Sequence, residues 1–200
     1  MNEGETWLQN DSLSRAKSGE AAAFAALVRR FQRPVYSLAL RMLSDRHAAE
    51  DLAQEVFLQL YRSLSAVDSD AHLAFWLRKV TLNRAIDRLR REPRHATVPL
   101  EETPDLASEA DDGDPMLHRR LRELIGQLPP AARAVVVLRY QEDLDPNDIA
   151  GVLSMSINTV KSHLKRSLAT LRERGGDVGV GPETGGPGLA GSAGKHGSVT

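Results

Sequence analysis

Basic side chains concentrate in the segment 75–91, which reads FWLRKVTLNRAIDRLRR. Six of these seventeen residues are lysine or arginine, and Asp87 is the one acid. At 100° per residue, one side of a helix over this segment is entirely polar: Asn83, Arg84, Asp87, Arg88 and Arg91. Guanidinium groups in such a stripe suit a phosphate backbone, and an asparagine amide can read a base edge. The segment is a candidate nucleic-acid surface.

Trp76 falls outside the apolar stripe of the same helix, near its start. The stripe itself consists of Phe75, Leu82, Ala85, Ile86 and Leu89. Two interpretations of Trp76 are open. An indole that is partly exposed beside arginines can stack on an unpaired base. An aromatic ring of this size also commonly packs between helices.

The preceding helical segment, 48–64, has two contrasting faces. The periodicity places one apolar set in the core: Ala53, Val56, Phe57, Leu60 and Leu64. The opposite face is acidic toward its N-terminal end and carries one leucine: Asp51, Gln54, Glu55 and Leu58. Taken alone, this face is interpreted as a solvated surface, with carboxylates favourably near a helix N-terminus.

The segment 145–174 predicts a short helix, a tight turn and a basic amphipathic helix. Asp145 is a candidate N-cap, Pro146 suits the first helical position, and the turn falls at Ser154–Ser156. The last helix has one apolar face: Ile157, Val160, Leu164, Leu168 and Leu171. This order is typical of a helix-turn-helix, whose second helix enters the major groove, but an ordinary helical hairpin would share it.

Residues for enzymatic chemistry are scattered. The chain has no cysteine, and its six histidines form no i, i+4 pair on a helix. No Ser/His/Asp arrangement follows from spacing. The sequence therefore predicts no catalytic residue, no metal site and no cofactor.

The elements that position these residues are predicted to be helices. The apolar spacing is helical throughout, and no alternating β-branched run indicates a strand. The fold class is predicted to be all-α. Pro34 is expected to separate two helices, at the first turn of the second. The predicted divisions are a first domain at 14–94, a linker at 95–115, a second domain at 116–174 and a tail at 175–200.

Composition and charge support these divisions. Residues 95–115 carry seven acids and no base, between two blocks of net charge +3 (1–94) and +4 (116–174). The tail 175–200 holds ten of the fifteen glycines, too little apolar surface to offset chain entropy, so it is expected to be disordered. No apolar run is long enough for a membrane span, and the polar N-terminus lacks a signal-peptide core. A cytoplasmic protein without membrane insertion is the expectation.

The two motifs together resemble the extracytoplasmic-function (ECF) group of the bacterial sigma-70 family. AAEDLAQEVFLQLYR followed by FWLRKVTLNRAIDRLRR is similar to the polymerase-binding and promoter-reading helices of sigma factors. The stretch from Leu128 to Glu173 is similar to their C-terminal helix-turn-helix domain. The resemblance covers roughly residues 14–94 and 116–174. It implies binding to core RNA polymerase and promoter DNA, an anti-sigma partner, and no small-molecule substrate.

The resemblance also assigns residues to partners. Asp51, Gln54, Glu55 and Leu58 would dock on the polymerase. The downstream (minus-ten) element, with strand separation, would be held by Trp76, Asn83, Arg84, Asp87, Arg88 and Arg91. The loop 65–72 would pocket a flipped base. The upstream (minus-thirty-five) element would be read by Asn158, Thr159, Lys161, Ser162, Lys165 and Arg166.

The chain departs from the family pattern at three places. Pro146-Asn147 replaces a common aromatic-acidic pair, Ser154 replaces a glycine in the turn, and His163 replaces an arginine beside the groove face. The neutral imidazole would be a weaker, pH-dependent contact. The main rival interpretation is an autonomous helix-turn-helix regulator that binds duplex DNA without polymerase. Such a regulator would need a dimer interface, and the sequence shows no heptad repeat to supply one.

Overall fold

The computed structural model describes residues 12–91 and 115–175, and every regular element within them is helical. A short helix, α1, covers residues 12–17. The first half continues with α2 (Ala21–Leu43), α3 (Arg46–Ser63), a 3₁₀ turn (Leu64–Ala66) and α4 (Asp70–Arg91). The second half holds α5 (Pro115–Gly126), α6 (Pro130–Tyr140), α7 (Pro146–Leu153) and α8 (Ile157–Arg174). The all-α prediction is confirmed, whereas residues 95–114 of the expected linker and 176–200 of the tail lie outside the described ranges.

The predicted break at Pro34 is wrong, because α2 is one helix of 23 residues with Pro34 in its interior. A proline there removes one hydrogen bond and crowds the preceding turn, at a cost of about 3 kcal/mol. The helix continues because both sides of the proline are anchored in the core. Leu27 before it is 1% exposed, and Val35 and Leu38 after it are 3% and 2% exposed.

The first core lies between α1, α2, α3 and α4. Its large side chains include Leu27, Val56, Leu60, Leu73 and Leu77, all nearly inaccessible to solvent. The core face of α3 is shifted from the prediction: Ala49, Leu52, Val56 and Leu60 are buried, while Ala53 and Phe57 are only partly buried.

The helix α4 also differs from expectation at its N-terminal end. It begins at Asp70, five residues before the predicted start at Phe75. The Ser69 hydroxyl accepts a hydrogen bond from the His72 amide at 3.1 Å, so a side chain caps the first turn. Phe75 was expected in the core and is instead 38% exposed, because Leu73 and Leu77 occupy the buried side of this turn.

A second and larger core joins the two halves of the chain. Nine of its buried residues come from α2, α3 and α4, and eight come from α6, α7 and α8. Leu82 of α4 and Val135, Leu138 and Ile149 of the second half are each at 0% exposure. The free chain therefore has one defined arrangement of its halves, which pack on each other as well as being joined by the linker predicted at 95–115.

Polar contacts cross the same boundary. The Glu142 carboxylate, after α6, accepts from Arg41 of α2 at 3.0 Å and from Arg78 of α4 at 3.4 Å. Arg133 of α6 is 3% exposed and donates to the carbonyls of Met42 and Gly126. Both carbonyls lie at helix C-termini, of α2 and α5, where backbone acceptors lack helical partners and a cation is favoured. One guanidinium thus caps a helix from each half.

Replacing this buried cation tests its structural role. Arg133→Met keeps much of the apolar stem but leaves two buried carbonyls without their donor, which should lower the free energy of unfolding by about 2–4 kcal/mol. The measurement is urea denaturation followed by far-ultraviolet circular dichroism. Arg172→Met, on the exposed last turn of α8, is the control and should change stability by less than about 0.5 kcal/mol. Equal stability of the two variants would contradict the capping role.

Candidate functional site

The outer face of α3 presents the predicted acidic set with a larger apolar component than expected. Asp51 and Gln54 are exposed, and Leu58 is 59% exposed. Tyr61, which sequence reasoning missed, is 67% exposed on the same face, three residues after Leu58. Its ring is held edge-on against Phe24 of α2, with centroids 5.1 Å apart. The face therefore offers carboxylates beside exposed leucine and tyrosine, a combination suited to a protein partner.

The polar side of α4 divides into two parts. Asn83, Asp87 and Arg91 are exposed and follow one another at four-residue spacing along the helix. Arg84 and Arg88 lean toward α3 instead. Their side chains are 38% and 24% exposed.

Glu55 of α3 pairs with both of these arginines. Its Oε2 accepts from Arg84 Nη1 at 2.6 Å, and its Oε1 accepts from Arg88 Nη2 at 3.1 Å. Gln59 Oε1 accepts from Nε and Nη2 of Arg84 at 2.9 and 2.8 Å. The carbonyl of Ala48 accepts from Arg88 Nη1 at 2.9 Å. Residues predicted for two different partners are therefore in direct contact, and Gln59, four residues after Glu55, belongs to the same cluster.

Trp76 is half-buried and packs against the first core. This position matches the interpretation that the indole packs between helices. The neighbouring ring of Phe75 is the more exposed aromatic, with Lys79 Nζ 5.9 Å from its centroid. A ring that is partly packed and partly exposed suits both interpretations, so the proposed contact of Trp76 with an unpaired base stays a prediction.

The predicted loop 65–72 is shorter than expected. Residues 65–66 belong to the 3₁₀ turn and 70–72 to α4, leaving only 67–69 outside helices. Val67 is fully buried, and the Asp68 amide donates to His72 Nδ1 at 3.2 Å. The short connection is anchored at both ends.

The helix-turn-helix geometry is present in α7 and α8. The Asp145 carboxylate accepts from the amides of Asn147 and Asp148 at 2.6 and 3.0 Å, which confirms the predicted N-cap. Ser154 ends α7 in the left-handed region, with φ 52° and ψ 44°. The Ser156 hydroxyl then caps α8 by accepting from the Thr159 amide at 3.1 Å. Caps on both sides of the turn define the direction in which α8 leaves it.

The outer face of α8 carries every residue predicted for duplex recognition. All six are exposed: Asn158, Thr159, Lys161, Ser162, Lys165 and Arg166. His163 is half-buried at the edge of this face. A shallow depression runs over the first turns, lined by Asn158, Thr159, Ser162, His163 and Arg166. The back of the helix is anchored at Val160 and Ser167, which are 0% and 2% exposed.

Metal-binding groups and membrane-spanning helices were also sought in the described part of the chain. No three His, Asp or Glu side chains within 12–91 and 115–175 are grouped so that they could hold a metal ion. Among the same residues, no helix has the length and apolarity needed to cross a membrane.

Comparisons with known proteins agree with the two-part layout. Residues 27–95 match the model of sigma-70 region 2, and residues 118–171 match that of sigma-70 region 4. An ECF RNA polymerase sigma factor, SigW of Bacillus subtilis, is 31% identical over 175 residues, covering 81% of this chain and 94% of that protein.

Two solved structures share the fold. CnrH, in complex with the cytosolic domain of CnrY, has a TM-score of 0.61 and 23% identity, covering 82% of this chain and 95% of that chain. The sigma factor RpoE of Bartonella quintana, in complex with the anti-sigma factor NepR, has a TM-score of 0.61 and 16% identity, covering 76% of this chain and 95% of that chain.

The left-handed serine in the α7–α8 turn gives a local test. Ser154 is exposed and adopts a backbone conformation that glycine takes without strain. Ser154→Gly should raise the free energy of unfolding by up to about 1 kcal/mol, whereas Ser154→Val, which is β-branched, should lower it by about 1 kcal/mol or more. Urea denaturation of the two variants beside the parent measures both shifts. Equal effects of glycine and valine would contradict the left-handed turn.

Proposed function

The chain belongs to the ECF RNA polymerase sigma factors of the sigma-70 family, and from that membership we propose that it binds core RNA polymerase and directs it to specific promoters. The observation that carries the proposal is the pairing of two separate surfaces in one chain. The α3 face presents carboxylates and exposed apolar side chains for a protein, and the outer face of α8 presents amides, hydroxyls and cations for duplex DNA.

The proposed division of labour follows the two halves of the chain. Domain 14–94 binds polymerase through Asp51, Gln54, Glu55 and Leu58, and it holds the minus-ten element along α4. There Asn83, Asp87 and Arg91 are already exposed, while Arg84 and Arg88 lie at the seam with α3. Domain 116–174 reads the minus-thirty-five element with the N-terminal part of α8, whose exposed side chains suit base edges and phosphates.

The packed arrangement of the two halves has a consequence for promoter binding. The positions in their names, minus ten and minus thirty-five, put the two elements about 25 base pairs apart, on the order of 80 Å of duplex at ~3.4 Å per base pair. A compact body of the described length has an expected radius of gyration of only about 15 Å. With α4 and α8 in one packed body, the chain cannot reach both elements. We therefore propose that the shared core opens when the factor acts on a promoter.

The remaining assignments follow from the same proposal. An anti-sigma protein is the proposed regulatory partner, and the cytoplasm is the proposed compartment, since polymerase and promoter are found there. We assign no catalytic step to the chain, because RNA polymerase forms the phosphodiester bonds of the transcript. An autonomous helix-turn-helix regulator is the second candidate, but that interpretation gives no role to the acidic and apolar face of α3.

The polymerase face is tested by charge reversal. The double variant Asp51→Arg, Gln54→Arg places two cations on the exposed face, so binding to purified core RNA polymerase should weaken at least about tenfold. Glu173→Arg, which reverses an exposed acid on the last turn of α8 away from this face, is the control and should bind almost as well as the parent. Unchanged affinity in the double variant would remove the assignment of this face.

Opening of the shared core is tested with an engineered disulfide, because the chain has no cysteine of its own. A Cβ built on Gly126 lies 3.9 Å from Ser44 Oγ across the boundary between the halves. Side chains at the two positions would therefore meet across the boundary, so we choose the pair Ser44→Cys, Gly126→Cys and verify its cross-link by non-reducing electrophoresis. The oxidised variant should lose promoter-dependent transcription with core polymerase, and reduction should restore it.

Ser44→Cys alone, treated with the same oxidant, serves as the control and should keep full activity. Full promoter-dependent transcription by the cross-linked form would show that the closed arrangement is itself competent.

A further inference from the structure

The cluster at the seam of α3 and α4 links the two surfaces of the first domain. We infer that Glu55 couples polymerase binding to DNA binding: in the free chain its carboxylate masks Arg84 and Arg88, and polymerase docking on α3 withdraws it and exposes both guanidinium groups to DNA phosphate. The inference rests on the proposed function. It adds a mechanism that lowers the affinity of the free factor for DNA.

Both oxygens of Glu55 are already occupied in the free chain. Oε2 is 2.6 Å from Arg84 Nη1, and Oε1 is 3.1 Å from Arg88 Nη2. A carboxylate in this position accepts charge-assisted hydrogen bonds from both cations and offsets part of their charge. A cation of the polymerase that pairs with Glu55 must therefore compete with Arg84 and Arg88 for the same two oxygens.

The exchange is physically accessible. The Glu55 side chain is 43% exposed, and the side chains of Arg84 and Arg88 are 38% and 24% exposed. Ion pairs at this exposure are weak in water, so a partner that supplies its own cation can replace them without unfolding the helices. Glu55 also lies one residue from Gln54, on the face proposed to receive the polymerase.

The arginines stay in place when the carboxylate leaves. Nε and Nη2 of Arg84 remain on Gln59 Oε1, at 2.9 and 2.8 Å, and Arg88 Nη1 remains on the Ala48 carbonyl at 2.9 Å. Loss of Glu55 thus frees one nitrogen on each guanidinium, Nη1 of Arg84 and Nη2 of Arg88, while the other contacts hold the groups. Gln59 and Ala48 act as positioning groups, and the freed N–H groups are oriented in advance for a phosphate.

Thermodynamic linkage then makes the coupling reciprocal. If polymerase uncovers the two arginines, DNA bound to the arginines must raise polymerase affinity by the same factor. The arrangement predicts a factor that binds bare DNA weakly and gains affinity for it when polymerase is bound.

Two full-length variants with equal loss of charge test the inference. Glu55→Gln removes the shared carboxylate, while Asp51→Asn removes an exposed carboxylate one turn earlier on the same face. The probe is a mixed-sequence single-stranded DNA oligonucleotide, titrated with the free chain over a range of salt. Glu55→Gln should bind it about three- to tenfold more tightly, and the slope of log K against log salt should steepen by roughly 0.7–1.4 for one or two added phosphate contacts. Asp51→Asn should change the affinity less than about twofold.

Three further variants connect the gain to the cluster. Glu55→Asp retains the charge and should keep the weak DNA binding of the parent, which separates loss of the counter-ion from a disturbed helix. Arg84→Gln and Arg88→Gln, added to Glu55→Gln, should each remove part of the gain. An equal rise in Asp51→Asn and Glu55→Gln, or no rise in Glu55→Gln, would overturn the inference.

Binding to core polymerase, measured on the same variants, tests the underlying function separately. Asp51→Asn and Glu55→Gln should both weaken it, because both remove a carboxylate from the docking face. If neither weakens it, the proposed polymerase face is wrong, whatever happens to DNA binding. If both weaken it while the DNA affinities stay equal, the face is right and Glu55 does not mask the arginines.

Discussion

The hydrophobic core shared by the two halves is the constraint on which the rest of the structure depends. Leu82 of α4 is packed with Val135, Leu138 and Ile149 of the second half, so separating the halves would expose apolar surface on both. Arg133 strengthens the same boundary, because its buried guanidinium satisfies helix-end carbonyls on each side. In the proposed function, the free energy needed to part these surfaces sets how readily α4 and α8 move to separate promoter elements.

Several arginines of this packed structure are paired with carboxylates from neighbouring helices. Glu142 holds Arg41 and Arg78 at the boundary, and Glu55 holds Arg84 and Arg88 at the seam of α3 and α4. In both cases one carboxylate forms ion pairs with two arginines that lie on other helices. The Glu55 side chain is 43% exposed, which suits the proposed exchange, whereas Glu142 is 19% exposed and fixes the boundary between the halves. By contrast, the cations on the outer face of α8 are exposed, as duplex recognition requires.

Several features could be read from residue order because their causes are local. Helical period, the Asp145 cap and the tight turn before α8 depend on side chains within a few residues of one another. The exposed face of α8 follows from the same periodicity. The helix break predicted at Pro34 is wrong because its cause is not local. Core packing on both sides of the proline outweighs one lost hydrogen bond.

The sequence by itself determined the all-α class, the Asp145 cap and the outer face of α8, since these follow from periodicity and capping. Only the tertiary structure decided which faces meet. It buried half of Trp76, exposed Phe75, joined the two halves through one core and brought Glu55 to Arg84 and Arg88. Glu55 is 29 and 33 positions away from these two arginines, and Arg133 is 91 positions away from the Met42 carbonyl that it caps. Sequence spacing carries no information about such pairs, because they form only when the helices pack.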